Sequence, residues 1–593
     1  MATVTGKAYD FPILKRIFVF THPYKKAFWV SVSLTVLLAF LSLSRPLLVQ
    51  KTVDTYITNG DKYGLLNMTL LMIGLLLFQT LVQYYQTYLT NWLGQIVIRD
   101  IRIKLYRHIL HLRSKFFDRT PIGTLVTRMV SDLETIADIF SEGLISILGD
   151  LFTLFVIVAC MFYVDWGLTL VSLSTIPLLF WATRIFQRGI KSAFQEVRTQ
   201  VAHLNTYVQE HLTGINIVQI FSREKQEMKK FEDINRLHMK ANIRSVWYYS
   251  IFFPVVELLS ATSIGLLVWW GAREVHYSNL SPGTIIMFIM FLNLIFRPIR
   301  ELADKFNTLQ LGMVSSERIF KLLDTNEYIP NEGKIIASGI RGDIEFRNVW
   351  FAYNHDEVSE PEWVLKNVSF SVKAGQTLAL VGATGAGKSS IINLINRFYE
   401  ISKGEILVDG VDIREYELNS LRKNIAVVMQ DVFLFSDTIA NNISLRDSSV
   451  TLEEIKKAAT VVGANRFIEQ LPETYNFNVM ERGGMLSVGQ RQLISFIRAY
   501  VFNPKILILD EATSSIDSES EELIQSATSK LTQDRTSIVI AHRLATVQDA
   551  DKILVLDHGE KMEEGTHQEL LRHGGLYKNL YEIQFSGIAE ENN

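Results

Sequence analysis

Cysteine is all but missing from this chain: Cys160 is the only one in 593 residues. One thiol excludes an internal disulfide framework and a cysteine-rich metal site. Charge is also scarce, at 20% of residues, and mean hydropathy is positive, at +0.16. That combination argues against a disordered or purely soluble chain. No cleaved leader is expected. The first apolar run begins near Ala27, behind the basic pairs Lys15-Arg16 and Lys25-Lys26, and lacks a small-residue cleavage pattern.

Apolar side chains fill 48% of the chain, and their distribution is uneven. Residues 1–320 hold 32 Lys+Arg against 22 Asp+Glu, a net +10, whereas residues 321–593 hold 27 against 40, a net −13. The total of −3 therefore joins two unlike halves. Length alone suggests roughly three to five domains. The split reduces this to two, 1–324 and 343–593, joined by a polar linker at 325–342 (TNEYIPNEGKIIASGIRG).

The first half carries six charge-poor runs, at 27–44, 63–98, 143–164, 166–183, 245–272 and 275–296, interrupted only by Asp150 and Glu257. About 20 apolar residues cross a bilayer. The expected spans lie near 27–47, 63–90, 140–164, 166–186, 246–272 and 280–300. The connections after spans two and four are long and basic. Lys and Arg accumulate on the cytoplasmic side, so these connections and the N-terminus are placed inside. This accounts for the +10 without invoking nucleic acid. Apolar residues at Ile98, Ile101, Leu105, Ile109 and Leu112 predict a helix through QIVIRDIRIKLYRHILHLRSKFF. Twenty further helical residues reach roughly 30 Å below the membrane. Helix breakers at Asp118–Gly123 and Thr213–Asn216 predict a turn at the tip of each extension.

Glu257 is the one ionisable residue deep in a span. A cavity-facing role, attracting cationic substrates, is the default reading, and a helix–helix hydrogen bond is the alternative. Trp269-Trp270, Phe252-Phe253 and Tyr84-Tyr85 suit amphipathic drugs or lipids, and equally suit packing or interface anchoring. Cys160 reads as packing.

The second half opens with a strand-like stretch, IEFRNVWFAY. Then LALVGATGAGKSSIINLI places Gly382, Ala383, Thr384, Gly385, Ala386, Gly387, Lys388, Ser389 and Ser390 between an apolar strand and a helix. This is G-x-x-x-x-G-K-[ST] in its strand–loop–helix context. Glycines let backbone N–H groups approach phosphates, and the helix N-terminus favours their charge. Lys388 is expected to reach the β- and γ-phosphates, and Ser389 to ligate Mg²⁺. The strand ILILD ends in Asp510, placed to hold Mg²⁺, followed by Glu511, placed to orient or deprotonate the attacking water.

Between these motifs lies LSVGQRQLISFIRAY, 486–500. With it, nearly the whole chain resembles an ATP-binding cassette exporter of the multidrug or lipid type. The resemblance implies an all-α six-helix transmembrane domain with long cytoplasmic helical extensions, followed by an α/β P-loop ATPase domain of ABC type. It implies that Tyr353 stacks on adenine, and that Gln430 meets Mg²⁺ and water. Ser487, Gly489 and Gln490 would close over ATP held by a second cassette, Asp517 would couple the sites, and His542 would contact the γ-phosphate. The hairpin tips resemble coupling helices, near 117–124 and 211–221, that dock on cassettes. Residues 11–24 resemble an amphipathic elbow helix on the membrane surface. Two departures stand out. Val488 occupies a signature position where the family usually has Gly, and Met480 replaces another usual Gly, while Glu481 keeps the expected acid.

The resemblance further implies ATP and Mg²⁺ as cofactors and ATP hydrolysis coupled to transport. It places a multi-pass protein in the bacterial plasma membrane with its cassette in the cytoplasm. One chain carries one phosphate loop and one signature, so a complete site requires two chains. A homodimer is the favoured partner arrangement, and a heterodimer with a non-identical chain stays open. The substrate expected is an amphipathic drug or a lipid, moved by alternating access. A non-transporting ABC channel or regulator is the competing class. An importer is disfavoured by the fused, membrane-first order.

Overall fold

A computed structural model describes residues 11–139, 145–277, 280–355, 361–510, 518–540 and 544–589. The chain forms two compact units. One comprises Met1–Leu110 and Ile122–Thr325, and the other His111–Pro121 and Asn326–Asn593.

The first unit is helical. Six helices among the described residues are long and apolar enough to cross a membrane: His22–Ile57, Lys62–Leu110, Ile145–Val164, Trp166–Thr213, Glu224–Val275 and Pro282–Ile299. The second is 49 residues long, about 75 Å at 1.5 Å per residue. That is more than twice a hydrocarbon core of about 30 Å. Pro46, Pro254 and Pro298 lie inside helices, as spans tolerate when neighbouring groups satisfy the freed carbonyl. The unit packs around buried aromatics. Phe288, Phe291 and Phe296 are fully buried, and Phe186 stacks on Phe252 with centroids 4.0 Å apart. Glu257 lies on an exposed face of the fifth span.

Residues 11–24, expected to be an elbow, form the helix Phe11–Val19 and a 3₁₀ turn, His22–Tyr24. Arg16 donates two 2.7 Å bonds to Asp324, and its guanidinium lies 4.3 Å from the Phe320 ring centroid. Both ion-pair partners are about half exposed, so the pair contributes under about 1 kcal/mol. Tyr24 donates to Asp100 at 2.8 Å.

One expectation needs correction. Helical spacing carried the second helix through Phe117, but it stops at Leu110. The cause is long-range pairing. Leu112 forms an antiparallel bridge with Tyr328, and the Arg113 N–H donates to the Glu327 carbonyl at 2.9 Å. The backbone must leave the helix to make these bonds. A short helix, Ser114–Arg119, follows. The other tip is a second short helix, Ile215–Ile220, entered through Gly214. Leu212, Ile217, Ile220 and Phe221 there are 64–77% exposed. The two arms behind this tip are clasped by Tyr207, which donates to Glu227 at 2.8 Å, and by His211, 2.9 Å from the same carboxylate.

Among its described residues the second unit holds ten strands: β1 Ile344–Phe351, β2 Leu365–Val372, β3 Thr377–Val381, β4 Lys403–Val408, β5 Val411–Asp412, β6 Ile425–Val428, β7 Ile506–Asp510, β8 Thr536–Ile540, β9 Lys552–Asp557 and β10 Glu560–Gly565. They form a four-stranded sheet, β2-β1-β4-β5, and a six-stranded sheet, β10-β9-β3-β8-β7-β6. The smaller sheet pairs antiparallel, while β9, β3, β8, β7 and β6 run parallel. Parallel strands are covered on both faces and so read as continuous apolar runs. In β7, Ile506 and Ile508 enter one core while Leu507 and Leu509 enter the other.

Candidate nucleotide site

Four adjacent parallel strands set the geometry. Leu380 of β3 and Asp510 of β7 both pair with Ile540 of β8, and Val428 of β6 pairs with Leu509. The strands therefore end level, and the segments leaving them emerge along one carboxyl edge. Ligands of open α/β sheets bind at that edge. β3 feeds the phosphate loop, β7 ends at Asp510, and β6 leads to Gln430, which is exposed two residues beyond its end. Glu511, Asp517 and His542 lie outside the described residues.

Within the loop, Ala383, Thr384, Gly385 and Ser389 are exposed, whereas Ala386, Gly387 and Ser390 are buried. Gly385 has φ +87°, and a Cβ there would meet no atom within 4 Å, so the backbone faces open space. Gly387 has φ +101°, and a Cβ there would come 2.6 Å from Leu365. The first glycine keeps the cradle open and the second seats it on β2. Lys388 starts the helix Lys388–Ile395, and its Nζ donates to the Gly382 and Ala383 carbonyls at 2.8 and 2.9 Å. Burial pulls this ammonium below the ordinary lysine value, while the Asp510 carboxylate pushes it back up. A cation, a hydroxyl, a helix N-terminus and a carboxylate thus converge on one cradle. The donor set fits a polyphosphate with a divalent cation, for which Ser389, Asp510 and Gln430 supply oxygens.

Tyr353 sits beside the loop, 37% exposed, with its hydroxyl 3.1 Å from Ser390 Oγ. Its ring meets Phe351 edge-on at 4.7 Å and Tyr399 at 5.0 Å. Tyr399 in turn donates to Asp118. Sequence reasoning missed Tyr399, because Asp118 is 281 residues away and no local pattern signals the contact.

The signature heads the helix Val488–Val501. Ser487 is its N-cap, accepting from the Gln490 N–H at 3.2 Å, while Gln490 Oε1 accepts from the Ser487 N–H at 3.0 Å. This capping box aims the helix N-terminus, with Ser487 and Val488 exposed and Gly489 buried. Val488 adds a β-branched side chain, 45% exposed, at the first helical position. Just upstream, Met480 adopts φ +59°, ψ −171°, a region almost confined to glycine and costing about 1–3 kcal/mol otherwise. Met480→Gly should relieve that strain, less about 0.5–1 kcal/mol for glycine's extra chain entropy. The expected net is a rise of about 2–4 °C in the melting midpoint of the full chain. An unchanged or lower midpoint would show that the side chain's own contacts outweigh the strain.

Comparison with known proteins supplies the context. The family model described as ABC transporter transmembrane region matches residues 28–299, and the one described as ABC transporter matches 365–514. The uncharacterised ABC transporter ATP-binding protein YknV of Bacillus subtilis (strain 168) is 38% identical over 590 residues, covering 99% of this chain and 97% of that protein. The putative multidrug export ATP-binding/permease protein YgaD of the same organism is 37% identical, covering 96% and 99%. An ATP-dependent lipid A-core flippase of Haemophilus influenzae (strain 86-028NP) is 36% identical, covering 97% of each. Among solved structures, a bacterial Atm1-family ABC exporter with ATP bound superposes with a TM-score of 0.77 at 27% identity, covering 97% of this chain and 99% of that one.

Proposed function

The chain belongs to the ABC transporter family, with the transmembrane region fused ahead of the ATPase, and from that premise we propose that it works as a homodimer exporting an amphipathic drug or lipid. It is a multi-pass plasma-membrane protein with a cytoplasmic ATPase, and half-transporters of this kind bind nucleotide and work as dimers. The observation that carries the proposal is the level carboxyl edge of β3, β8, β7 and β6, along which the phosphate loop, Asp510 and Gln430 emerge together.

In this reading the loop residues Gly382 to Ser390 hold the triphosphate, and Tyr353 stacks on the base. Ser389, Asp510 and Gln430 would hold a bound Mg²⁺, which would neutralise phosphate charge. Glu511 orients or deprotonates the attacking water, and His542 contacts the γ-phosphate. Ser487, Gly489 and Gln490 close the sandwich from the other cassette, where the helix N-terminus favours the anion. The exposed Ile217, Ile220 and Phe221 form an apolar tip suited to docking on a cassette. Coupling turns then convert cassette closure into outward opening of a cavity between the spans. The multidrug and lipid A-core names of the relatives support an amphipathic substrate.

A second reading rests on Val488. A β-branched side chain at the signature crowds the approach of a phosphate, and a non-identical partner with glycine there would supply the better site. Purification and reconstitution of this chain alone decides between them. A particle of twice the 67.8 kDa chain mass that hydrolyses ATP and moves a fluorescent phospholipid or amphipathic cation across sealed vesicles is the expected result. A monomer without ATPase activity would overturn the homodimer, and ATP hydrolysis without movement of either probe would favour a channel or regulator.

A further inference from the structure

The segment His111–Pro121 belongs to the cassette unit although it lies between two membrane spans in sequence. Three independent contacts hold it there. Leu112 bridges Tyr328, Arg113 pairs with Glu327, and Tyr399 donates its hydroxyl to Asp118 Oδ2. The third contact differs from the others in where it leads. The Tyr399 ring stands edge-on to Tyr353, at 89° with centroids 5.0 Å apart, and both rings lean on Phe351. The Tyr353 hydroxyl lies 3.1 Å from Ser390, in the first turn of the phosphate-loop helix. A cavity of about 200 Å³ is lined by Arg113, Lys115, Tyr353, His355 and Tyr399 together, so the turn and the two rings share one wall.

We propose that Tyr399 is a positioning residue that transmits occupancy of the base site at Tyr353 to the first cytoplasmic turn through Asp118; this rests on the reading of Tyr353 as the base-stacking aromatic. A base seated on Tyr353 fixes the orientation of that ring. An edge-to-face partner follows the ring it packs against, because the aromatic quadrupole favours one geometry over others. The Tyr399 hydroxyl is bonded to a carboxylate, a charge-assisted and directional contact, so a change in ring position reaches Asp118. Burial first, and then the Asp118 carboxylate, push the Tyr399 phenol well above its ordinary value, which keeps it a donor. The ion pair of Arg113 and the bridge of Leu112 run to the linker at 327–328 instead.

The test uses amide hydrogen exchange of the reconstituted full chain, with Mg·AMP-PNP and with inorganic tripolyphosphate as probes. Mg·AMP-PNP is expected to slow exchange in residues 113–121 at least about threefold. Tripolyphosphate, which lacks a base, is expected to leave that segment unchanged. In Tyr399→Phe the AMP-PNP affinity should stay within about twofold while the protection of 113–121 is lost, and Asp118→Asn should match it. Undiminished protection in Tyr399→Phe, or equal protection by tripolyphosphate, would overturn the proposal. Tyr353→Ala checks the underlying reading separately. AMP-PNP affinity is expected to fall about tenfold there, and an unchanged affinity would remove base stacking whatever Tyr399 does.

Discussion

ATP hydrolysis by Lys388→Ala is expected to fall at least about a hundredfold, in line with loss of one preorganised charge from a phosphate-transfer site. Lys388 is the only charged side chain between Gly382 and Ser390. Its Nζ is drawn into the loop by two carbonyls and feels the charge of the Asp510 carboxylate. Nucleotide affinity should fall together with turnover, because the charge acts on bound ATP as well as on the transition state. Glu511→Gln provides the contrast. It removes the carboxylate assigned to the attacking water and leaves the cradle alone, so turnover should collapse while AMP-PNP affinity holds within about threefold. ATPase rates and AMP-PNP titrations on the two variants separate the roles. Near wild-type hydrolysis by either one would strike its residue from the assignment.

The second large effect concerns stability. Arg397 is 2% exposed and is the largest fully buried side chain among the described residues. It follows the phosphate-loop helix, in a left-handed conformation at φ +50°. Its guanidinium donates to the Ile413 carbonyl at 3.1 Å, the Pro330 carbonyl at 2.9 Å and Glu400 at 3.1 Å. One side chain thus ties together the nucleotide-binding helix, the smaller sheet and the chain entering the cassette. Arg397→Ala leaves two carbonyls and a carboxylate without their donor, at a cost of about 3–5 kcal/mol. The expected drop in melting midpoint is about 10 °C. Arg397→Lys recovers only part of it, since one ammonium cannot span three acceptors in a plane. A drop below about 2 °C in the alanine variant would mean that water replaces the guanidinium.

Features that depend on neighbours in sequence were legible. The phosphate loop sits between β3 and its helix, and ILILD forms β7, because glycine spacing and apolar runs act within a few residues. Six helices long enough to cross a membrane were legible for the same reason. Two other features were not. HILHLRSKFF has nothing in it to stop a helix, and the stop at Leu110 is imposed by pairing with Glu327 and Tyr328. Arg397 reads as an ordinary basic residue after a helix, and only the tertiary structure surrounds it with acceptors. Met480 falls between these cases. Family resemblance marked it as unusual, but the physical reason is a backbone angle, which composition does not display.

The membership of His111–Pro121 in the cassette unit bears on how the protein is made. Asp118 and Tyr399 are 281 residues apart. At a synthesis rate of about 5–20 residues per second, the ribosome reaches Tyr399 roughly 15–55 s after Asp118. Throughout that interval the turn between spans two and three has no cassette surface to rest on, while four further spans are threaded into the bilayer. Closing so long a loop carries an entropic cost that is met only once Tyr399 has been made. The contact therefore forms only after all six spans have been made, and a ribosome that stalls after span six would leave the Asp118 carboxylate without the Tyr399 hydroxyl.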